Sequence, residues 1–142
     1  MKSVSLMLSL SLLMISGISA QQKTMTPPRP ANNSFAKDFP AATGAKWEKE
    51  KGNFEVNFTM NGNKMSAVYD GKGALKETET AIPVASLPAA ATNYVQKNYK
   101  GVAIKGAAKI IKTGGETVYE AEVNKTDLLF DLNGKFIKSE KD

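Results

Sequence analysis

The sequence contains no cysteine and no histidine. Without cysteine the chain can form no disulfide bond and offers no thiolate nucleophile, and without histidine it has no imidazole base. Ser-His-Asp triads and zinc sites of the ordinary kind are therefore excluded. Carboxylates remain as the candidate catalytic groups, and an exported fold without disulfides must be stabilised by its hydrophobic core alone.

Long hydrophobic runs are also absent after residue 20. The apolar run at residues 6–15 follows Lys2 and precedes the small residues of segment 16–20. A basic start, a short apolar stretch and small residues before a cleavage point are typical of a secretory signal peptide, and the run is short for a membrane span. We therefore predict that residues 1–20 are a signal peptide. The remaining chain is predicted to lack a membrane span and to be periplasmic or secreted.

The charge balance is basic, with 19 Lys and Arg against 14 Asp and Glu. The lysines are scattered and alternate with glutamates, as in residues 46–51, whereas nucleic-acid-binding proteins cluster basic residues on one face or groove. The pattern is typical of a solvated strand edge and predicts no nucleic-acid partner. A basic exported protein is also suited to acidic partners or anionic surfaces.

Two parts of the sequence resemble each other. Residues 54–58 correspond to residues 119–123, and residues 69–75 correspond to residues 130–136, both of which read aromatic-Asp-x-x-Gly-x-hydrophobic. Internal similarity of this kind predicts a repeated structural unit.

The spacing within the two copies supports a shared strand geometry. Tyr69 lies 15 residues after Phe54, and Phe130 lies 11 residues after Tyr119. The difference is an even number, so a shortened hairpin would leave every later side chain on its original face of the sheet. The dipeptide at 61–62 is Asn-Gly, the strongest short-range hairpin signal, and the second copy is predicted to keep the hairpin with a shorter tip.

The order of elements predicts an α+β fold. Residues 21–32 are proline-rich and are predicted to form an extended linker. A short helix is predicted from an N-cap at Asn33–Ser34 to the residue before Pro40, and a second helix from an N-cap at Ser86 to Gly101. About four antiparallel strands follow each helix. The predicted domain is 33–142, with repeats at about 33–81 and 84–140, as a tandem repeat of helix plus four-stranded meander in one continuous sheet with the helices on one face.

The predicted core follows from the alternation of apolar residues on the strands. The apolar faces of the two repeats should pack against the helices. The strand residues expected there are Phe54, Val56, Phe58, Tyr119, Ala121 and Val123, and the helix residues are Phe35, Phe39, Tyr94 and Val95.

These motifs resemble the PepSY-like family of small exported bacterial proteins, also described as β-lactamase-inhibitor-like. The matching features of the first half are Phe39-Pro40, segment 46–48, segment 54–58, Asn61-Gly62 and segment 69–73; those of the second half are segment 87–90, Tyr94, Tyr99 and segment 119–123. The resemblance covers about residues 33–138. It implies two repeats of helix plus four-stranded sheet, and it suggests inhibition of a hydrolase, although the β-lactamase inhibitor protein bears disulfides and this chain has no cysteine.

Candidate sites for chemistry are few. Glu55, Glu120 and Glu122 should share the sheet face opposite Phe54 and Tyr119, where two carboxylates at a suitable distance would form a glycosidase pair. Glutamates that alternate with apolar residues on a strand are more typical of a solvent-exposed face, so we predict no catalytic residue and a protein that is not an enzyme. The segments 70–73 and 131–134 are interpreted as Asp-x-x-Gly turns rather than calcium loops, so no metal or cofactor is predicted.

The predicted function is that of an exported non-catalytic binding module, an inhibitor or modulator of an envelope protein or hydrolase. Val68 and Leu129 fall on the same face as the three glutamates, whereas Trp47 is interpreted either as core or as an exposed anchor for a partner. The predicted partner-binding residues are Glu55, Val68, Glu120, Glu122, Leu129 and Trp47. The alternative function is binding of a small ligand or cell-envelope component between helices and sheet.

Overall fold

The computed structural model describes residues 24–141, which form two helices and one eight-stranded sheet. The elements in chain order are α1 (Arg29–Asp38), β1 (Thr43–Glu50), β2 (Asn53–Met60), β3 (Asn63–Tyr69), β4 (Leu75–Ile82), α2 (Ala89–Asn98), β5 (Gly106–Lys112), β6 (Thr117–Glu122), β7 (Thr126–Phe130) and β8 (Phe136–Lys141). Every strand pairs with the next one in antiparallel fashion. This confirms the predicted α+β class and the single open antiparallel sheet; the predicted signal peptide lies outside the described residues.

The β2–β3 and β6–β7 hairpins both have a two-residue tip, so the predicted shortening of the second tip is wrong; the difference in spacing lies in the shorter strands β6 and β7. The β2–β3 hairpin turns at Asn61 and Gly62, whose φ angles are 51° and 78°, and the β6–β7 hairpin turns at Asn124 and Lys125, with φ angles of 54° and 58°. Two successive residues with positive φ match the twist of the flanking strands. Phe54 pairs with Tyr69 and Tyr119 pairs with Phe130, so the shorter hairpin keeps its side chains on the same faces.

The Asp-x-x-Gly segments are tight turns, as predicted. Asp70 Oδ1 accepts hydrogen bonds from the backbone N–H groups of Lys72 and Ala74, both at 2.9 Å. Asp131 Oδ1 accepts the same two bonds at 2.9 Å from the residues two and four positions later. A carboxylate that caps its own turn in this way fixes the chain reversal between two strands.

The glycine of each of these turns packs directly beneath a helix. Gly73 and Gly134 have φ angles of 86° and 84°. A Cβ atom on Gly73 would lie 2.7 Å from the carbonyl oxygen of Pro30, and one on Gly134 would lie 2.8 Å from Pro88 Cβ. Ser34 Oγ also donates a 2.7 Å hydrogen bond to the carbonyl of Gly73. Only glycine combines this backbone conformation with so close an approach.

The predicted helix starts are wrong. Helix α1 begins four residues before Asn33, and α2 begins three residues after Ser86. The residues at the N-cap positions are Pro28 and Pro88, with ψ angles of 141° and 140°. Proline suits the start of a helix because the first N–H groups have no partner within the helix.

The early start of α1 also corrects the predicted linker. Residues 29–32 are helical, and Ala31 is fully buried. Met25 packs against the core, and its backbone N–H donates to the carbonyl of Trp47 at 3.2 Å. The segment from Met25 onwards therefore belongs to the folded unit and is not a free spacer.

The helices pack on one face of the sheet over two apolar clusters. Phe35 of α1 contacts Trp47 and Phe58 edge to face, with ring centroids 5.6 and 5.1 Å apart. Tyr94 of α2 stacks on Phe136 with centroids 4.5 Å apart. The sheet register places both clusters on the same side. The predicted core residues are all buried or half-buried in these two clusters.

The structure decides between the two interpretations of Trp47. It is only 6% exposed and lies beneath α1, so it is a core residue. The prediction that Trp47 is an exposed contact for a partner is wrong, because the large apolar ring completes the cluster around Phe35. Within residues 24–141 no helix has the length and hydropathy needed to cross a membrane.

Candidate functional site

The sheet face opposite the helices collects most of the acidic side chains. Glu-x-Glu occurs at residues 48–50, 77–79 and 120–122, each time within a strand, so alternation directs both glutamates of each pair to the same side. Glu55 pairs with Glu48 on one neighbouring strand and with Val68 on the other. We call this surface the acidic face; its carboxylates are Glu48, Glu50, Glu55, Glu77, Glu79, Glu120, Glu122, Asp127 and Glu140.

The acidic face reverses the charge of the whole chain. Nine of the 14 acidic residues lie on it, whereas the register places four lysines of the described strands there. These lysines are Lys46, Lys64, Lys112 and Lys138. With all groups ionised the face has a net charge of −5, although the chain has a net charge of +5. The alternation of lysine and glutamate was interpreted from the sequence as a solvated strand edge. In the fold it places most of the acidic residues on one side of the sheet and most of the lysines elsewhere.

The predicted partner-binding residues share this face but are not exposed. Glu55 is 4%, Glu120 1% and Glu122 7% exposed, and Leu129 is 3% exposed. Val68 is half-buried. The prediction of a solvent-exposed sheet face is wrong at these positions, although alternation placed the residues on the correct side.

The face is buried because the sheet curls towards it. Burial raises the pKa of Glu77 on β4 to about 7, and repulsion by Glu50 on β1 and Glu140 on β8 contributes. In a flat sheet β1 would lie about 14 Å and β8 about 19 Å from β4. Solvent ions screen charges beyond about 8–10 Å. The outer strands therefore bend towards β4, and the carboxylates line a hollow.

An apolar cluster occupies part of the same hollow. Ile110, Val118 and Leu129 are buried together, apart from the clusters beneath the helices. Leu129 pairs directly with Glu120, and Val118 pairs with Ile110. The apolar side chains exclude water from the neighbouring carboxylates, which increases the cost of their ionisation.

The carboxyl groups at the centre of the hollow hold protons near neutral pH. Burial raises the pKa of Glu79 to about 8, with further repulsion by Glu77, Asp127 and Glu50. Burial also raises the pKa of Glu55 to about 10, and a hydrogen bond with Glu50 adds to the effect. Glu79 Oε2 is buried and has no hydrogen-bond partner among residues 24–141.

The structure adds residues that the sequence predictions missed. Six carboxylates join the three predicted glutamates on this face: Glu48, Glu50, Glu77, Glu79, Asp127 and Glu140. The repeated Glu-x-Glu pattern on predicted strands was the signal that could have identified four of them. Among the described residues no group of three or more Asp and Glu side chains has the arrangement of a metal site.

The comparisons with solved structures agree with the fold. A periplasmic-type protein of Bacteroides eggerthii ("putative periplasmic proteins") is 17% identical with a TM-score of 0.73, over 82% of this chain and 89% of that one. A DUF2874 family protein of Bacteroides uniformis is 20% identical with a TM-score of 0.72, over 81% and 89%. A BLIP-like protein of Bacteroides fragilis is 20% identical with a TM-score of 0.62, over 83% and 88%. Likeness at these identities concerns the fold.

The compartment in the description of the first of these structures agrees with the periplasmic or secreted location predicted from the leader sequence. No curated protein sequence matches the chain significantly. The model of the family described as "Putative beta-lactamase-inhibitor-like, PepSY-like" matches residues 52–138, from the start of the β2 hairpin to β8. Because this match covers more than half of the chain, the protein belongs to the PepSY-like family.

Proposed function

We propose that this protein is a periplasmic, non-catalytic module that binds another envelope protein through its acidic face. One observation carries the proposal: nine of 14 acidic residues lie on one side of the sheet in a chain that is basic as a whole. Both helices pack on the opposite side and leave this face without a covering element of the described chain. Surfaces that concentrate one sign of charge steer the encounter with a complementary partner.

Binding of a small ligand between helices and sheet is the weaker alternative. Buried side chains from both layers fill that space, including Phe35, Trp47 and Phe58 under α1 and Val95 and Leu128 under α2. A ligand there would have to displace close-packed core atoms.

Burial also argues against catalysis by the glutamates considered from the sequence. A general acid or nucleophile must meet the reacting bond in close contact, whereas the charge of a carboxylate attracts a cationic partner at longer range. Glu55, Glu120 and Glu122 expose at most 7% of their surface. Side chains this deeply buried are therefore poorly placed to attack a bond in a substrate.

The family suggests which class of partner to test first. The family is described as β-lactamase-inhibitor-like, and one structural neighbour is called BLIP-like. We infer that a periplasmic or secreted hydrolase is the partner to examine first, with inhibition or modulation as the effect of binding.

We also propose that the domain is a tandem repeat of a helix and four strands. Support comes from matching details at a nearly constant offset: Pro28 and Pro88 occupy the two helix N-cap positions, and Asp70 and Asp131 make the same pair of turn bonds. A register shift also occurs at the end of β3 and at the end of β7. In a repeat, each half contributes four carboxylates or more to the same face.

Site-directed cross-linking tests the proposed function. The chain has no cysteine, so a single introduced cysteine is a unique attachment point. A photoactivatable cross-linker on Val68→Cys, at the centre of the β2–β4 part of the acidic face, should form an adduct with a periplasmic protein. The same reagent on Gln96→Cys, on the exposed side of α2, is the matched control. Adducts formed only from position 96 would assign binding to the helix side instead.

A further inference from the structure

We propose that the partner presents arginine or lysine side chains from a loop or extended segment, which enter the acidic face beside Glu79 and Glu120. This inference rests on the proposed function and adds the chemistry of the partner. The carboxylates are spread over six of the eight strands, from β1 to β8, so the face is much wider than the coordination sphere of one ion. A segment that carries several cationic groups matches this distribution.

Glu79 is the observation that points most directly to a missing cation. Its side chain is almost fully buried at 7% exposure, and its Oε2 atom accepts no hydrogen bond within the described part of the chain. A buried carboxylate oxygen without a partner is costly, and a guanidinium group can satisfy both oxygens of a carboxylate at once. The register places Ser66 and Ile110 beside Glu79, and neither brings a positive charge.

Small side chains form a strip next to this carboxylate. Ala81 on β4 pairs with Ala108 on β5, and Ala108 pairs in turn with Glu120 on β6. Gly106 lies two residues before Ala108 on β5, on the same face of the sheet, and pairs with Glu122. Three small residues, Ala81, Ala108 and Gly106, thus lie between Glu79 on one side and Glu120 and Glu122 on the other. An arginine or lysine stem can lie along such a strip with its charged end at the carboxylates.

The charged groups around the hollow favour entry of a cation. Glu79 faces Glu77 on its own strand, Glu50 from β1 and Asp127 from β7, and all three repel its negative charge. Lys112 from β5 lowers the pKa of Glu77, whereas Glu140 from β8 raises it. The carboxyl group of Glu79, whose Oε2 atom has no hydrogen-bond partner among the described residues, should ionise when a cation arrives. Binding is therefore expected to release protons to the solvent.

Calorimetry with a defined peptide tests the inference. The probe is a five-residue arginine peptide with both ends blocked, and the control probe is the same peptide in citrulline, which keeps the shape and hydrogen bonds but lacks the charge. Titration of the mature chain at pH 7 in two buffers of different ionisation enthalpy measures both affinity and proton release. We expect the arginine peptide to bind at least tenfold more tightly than the citrulline peptide, with release of protons and with affinity that falls as salt is raised.

Matched variants locate the binding. Glu79→Gln keeps the shape of the side chain and should weaken peptide binding about tenfold, whereas Glu116→Gln makes the same charge change in an exposed turn and should leave it nearly unchanged. Val68→Arg places a cation on the acidic face and should abolish peptide binding, whereas Val68→Met should not. Equal loss for Glu79→Gln and Glu116→Gln would overturn the inference, because it would indicate attraction to net charge alone.

Two further results would also overturn it. In the first, calcium or spermine binds and the Glu79→Gln variant weakens that binding, whereas the arginine peptide does not bind. This result would assign the face to a small cation. In the second, a protein is cross-linked at position 68 but binds without proton release and without salt dependence. This result would contradict a cationic partner and leave the proposed function intact. Absence of any cross-link at position 68 would instead count against the proposed function itself.

Discussion

Glu55 on β2 shares a side-chain hydrogen bond with Glu50 on β1, so one of the two carboxyl groups must carry the proton between them. The bond crosses the β1–β2 hairpin and holds two acidic groups together on the acidic face. Two carboxylates at hydrogen-bond distance cannot both be ionised without strong repulsion. In this part of the acidic face a shared proton therefore takes the place of a counter-charge.

We expect the free energy of unfolding to fall as the pH rises from about 5 to about 8. The pKa of Glu79 is about 8 in the folded protein against an ordinary 4.5, and that of Glu77 is about 7. Between the ordinary pKa of 4.5 and these raised values the folded state binds more protons than the unfolded state. Each such group lowers stability by up to about 1.4 kcal/mol per pH unit. Urea unfolding at a series of pH values measures the slope, and stability that rises steadily to pH 8 would contradict it.

Glu79→Gln should stabilise the protein at alkaline pH. The amide removes a buried charge and its repulsion by Glu77, Asp127 and Glu50. We expect a gain of about 2–4 kcal/mol at pH 8 and almost none at pH 4.5, where the glutamate is protonated in the folded state and only half ionised in the unfolded state. Glu116→Gln, in an exposed turn, is the control and should change stability by less than about 0.5 kcal/mol at either pH. A loss of stability in Glu79→Gln at pH 8 would show that the carboxylate has a compensating partner.

Phe58→Ala should destabilise the fold by about 3–5 kcal/mol. Phe58 is 4% exposed, and its ring lies 5.1 Å from that of Phe35 and 4.9 Å from that of Phe39, measured between centroids. Truncation removes both contacts and leaves a cavity beneath α1. Leu132→Ala serves as the control because Leu132 is 60% exposed in a turn. Chemical denaturation measures both, and a cost below about 1 kcal/mol for Phe58→Ala would place α1 elsewhere.

Gly73→Ala should cost far more than Gly62→Ala. Both glycines have positive φ, 86° and 78°, so both variants bear the penalty of that conformation, about 1 kcal/mol. A methyl group at Gly73 would also lie 2.7 Å from the carbonyl oxygen of Pro30, whereas one at Gly62 would meet open space. We expect a difference of at least about 2 kcal/mol between the two. Equal costs in thermal unfolding would indicate that α1 moves away from the turn without penalty.

The sequence predicted the strands and their faces better than the environment of those faces. Alternation placed Glu55, Val68, Glu120 and Leu129 on one side because side-chain direction is a local property of a strand. Their burial was not predictable in the same way, since it depends on the curl of all eight strands. Repulsion of Glu77 by groups on β1 and β8 arises from that curl and has no local signature.

The helix starts failed for a different reason. Asn33 and Ser86 are good capping residues, and the prolines before the helices were interpreted as linker or first-turn residues. Proline at the N-cap position leaves its carbonyl free to accept the first helical bond, as Pro28 does from Asn32 at 3.0 Å. Burial of Ala31 in the core then stabilises a helix that begins within the segment predicted from composition to be a linker.

The acidic face is distinguished by carboxyl groups that hold protons at neutral pH. A site-resolved ¹³C NMR titration of the glutamate side-chain carboxyl groups measures this directly in the mature chain. The account predicts that the signal of Glu79 changes with a midpoint near pH 8 and that of Glu55 near pH 10. Midpoints between about pH 4 and pH 5 for Glu55 and Glu79 would contradict it.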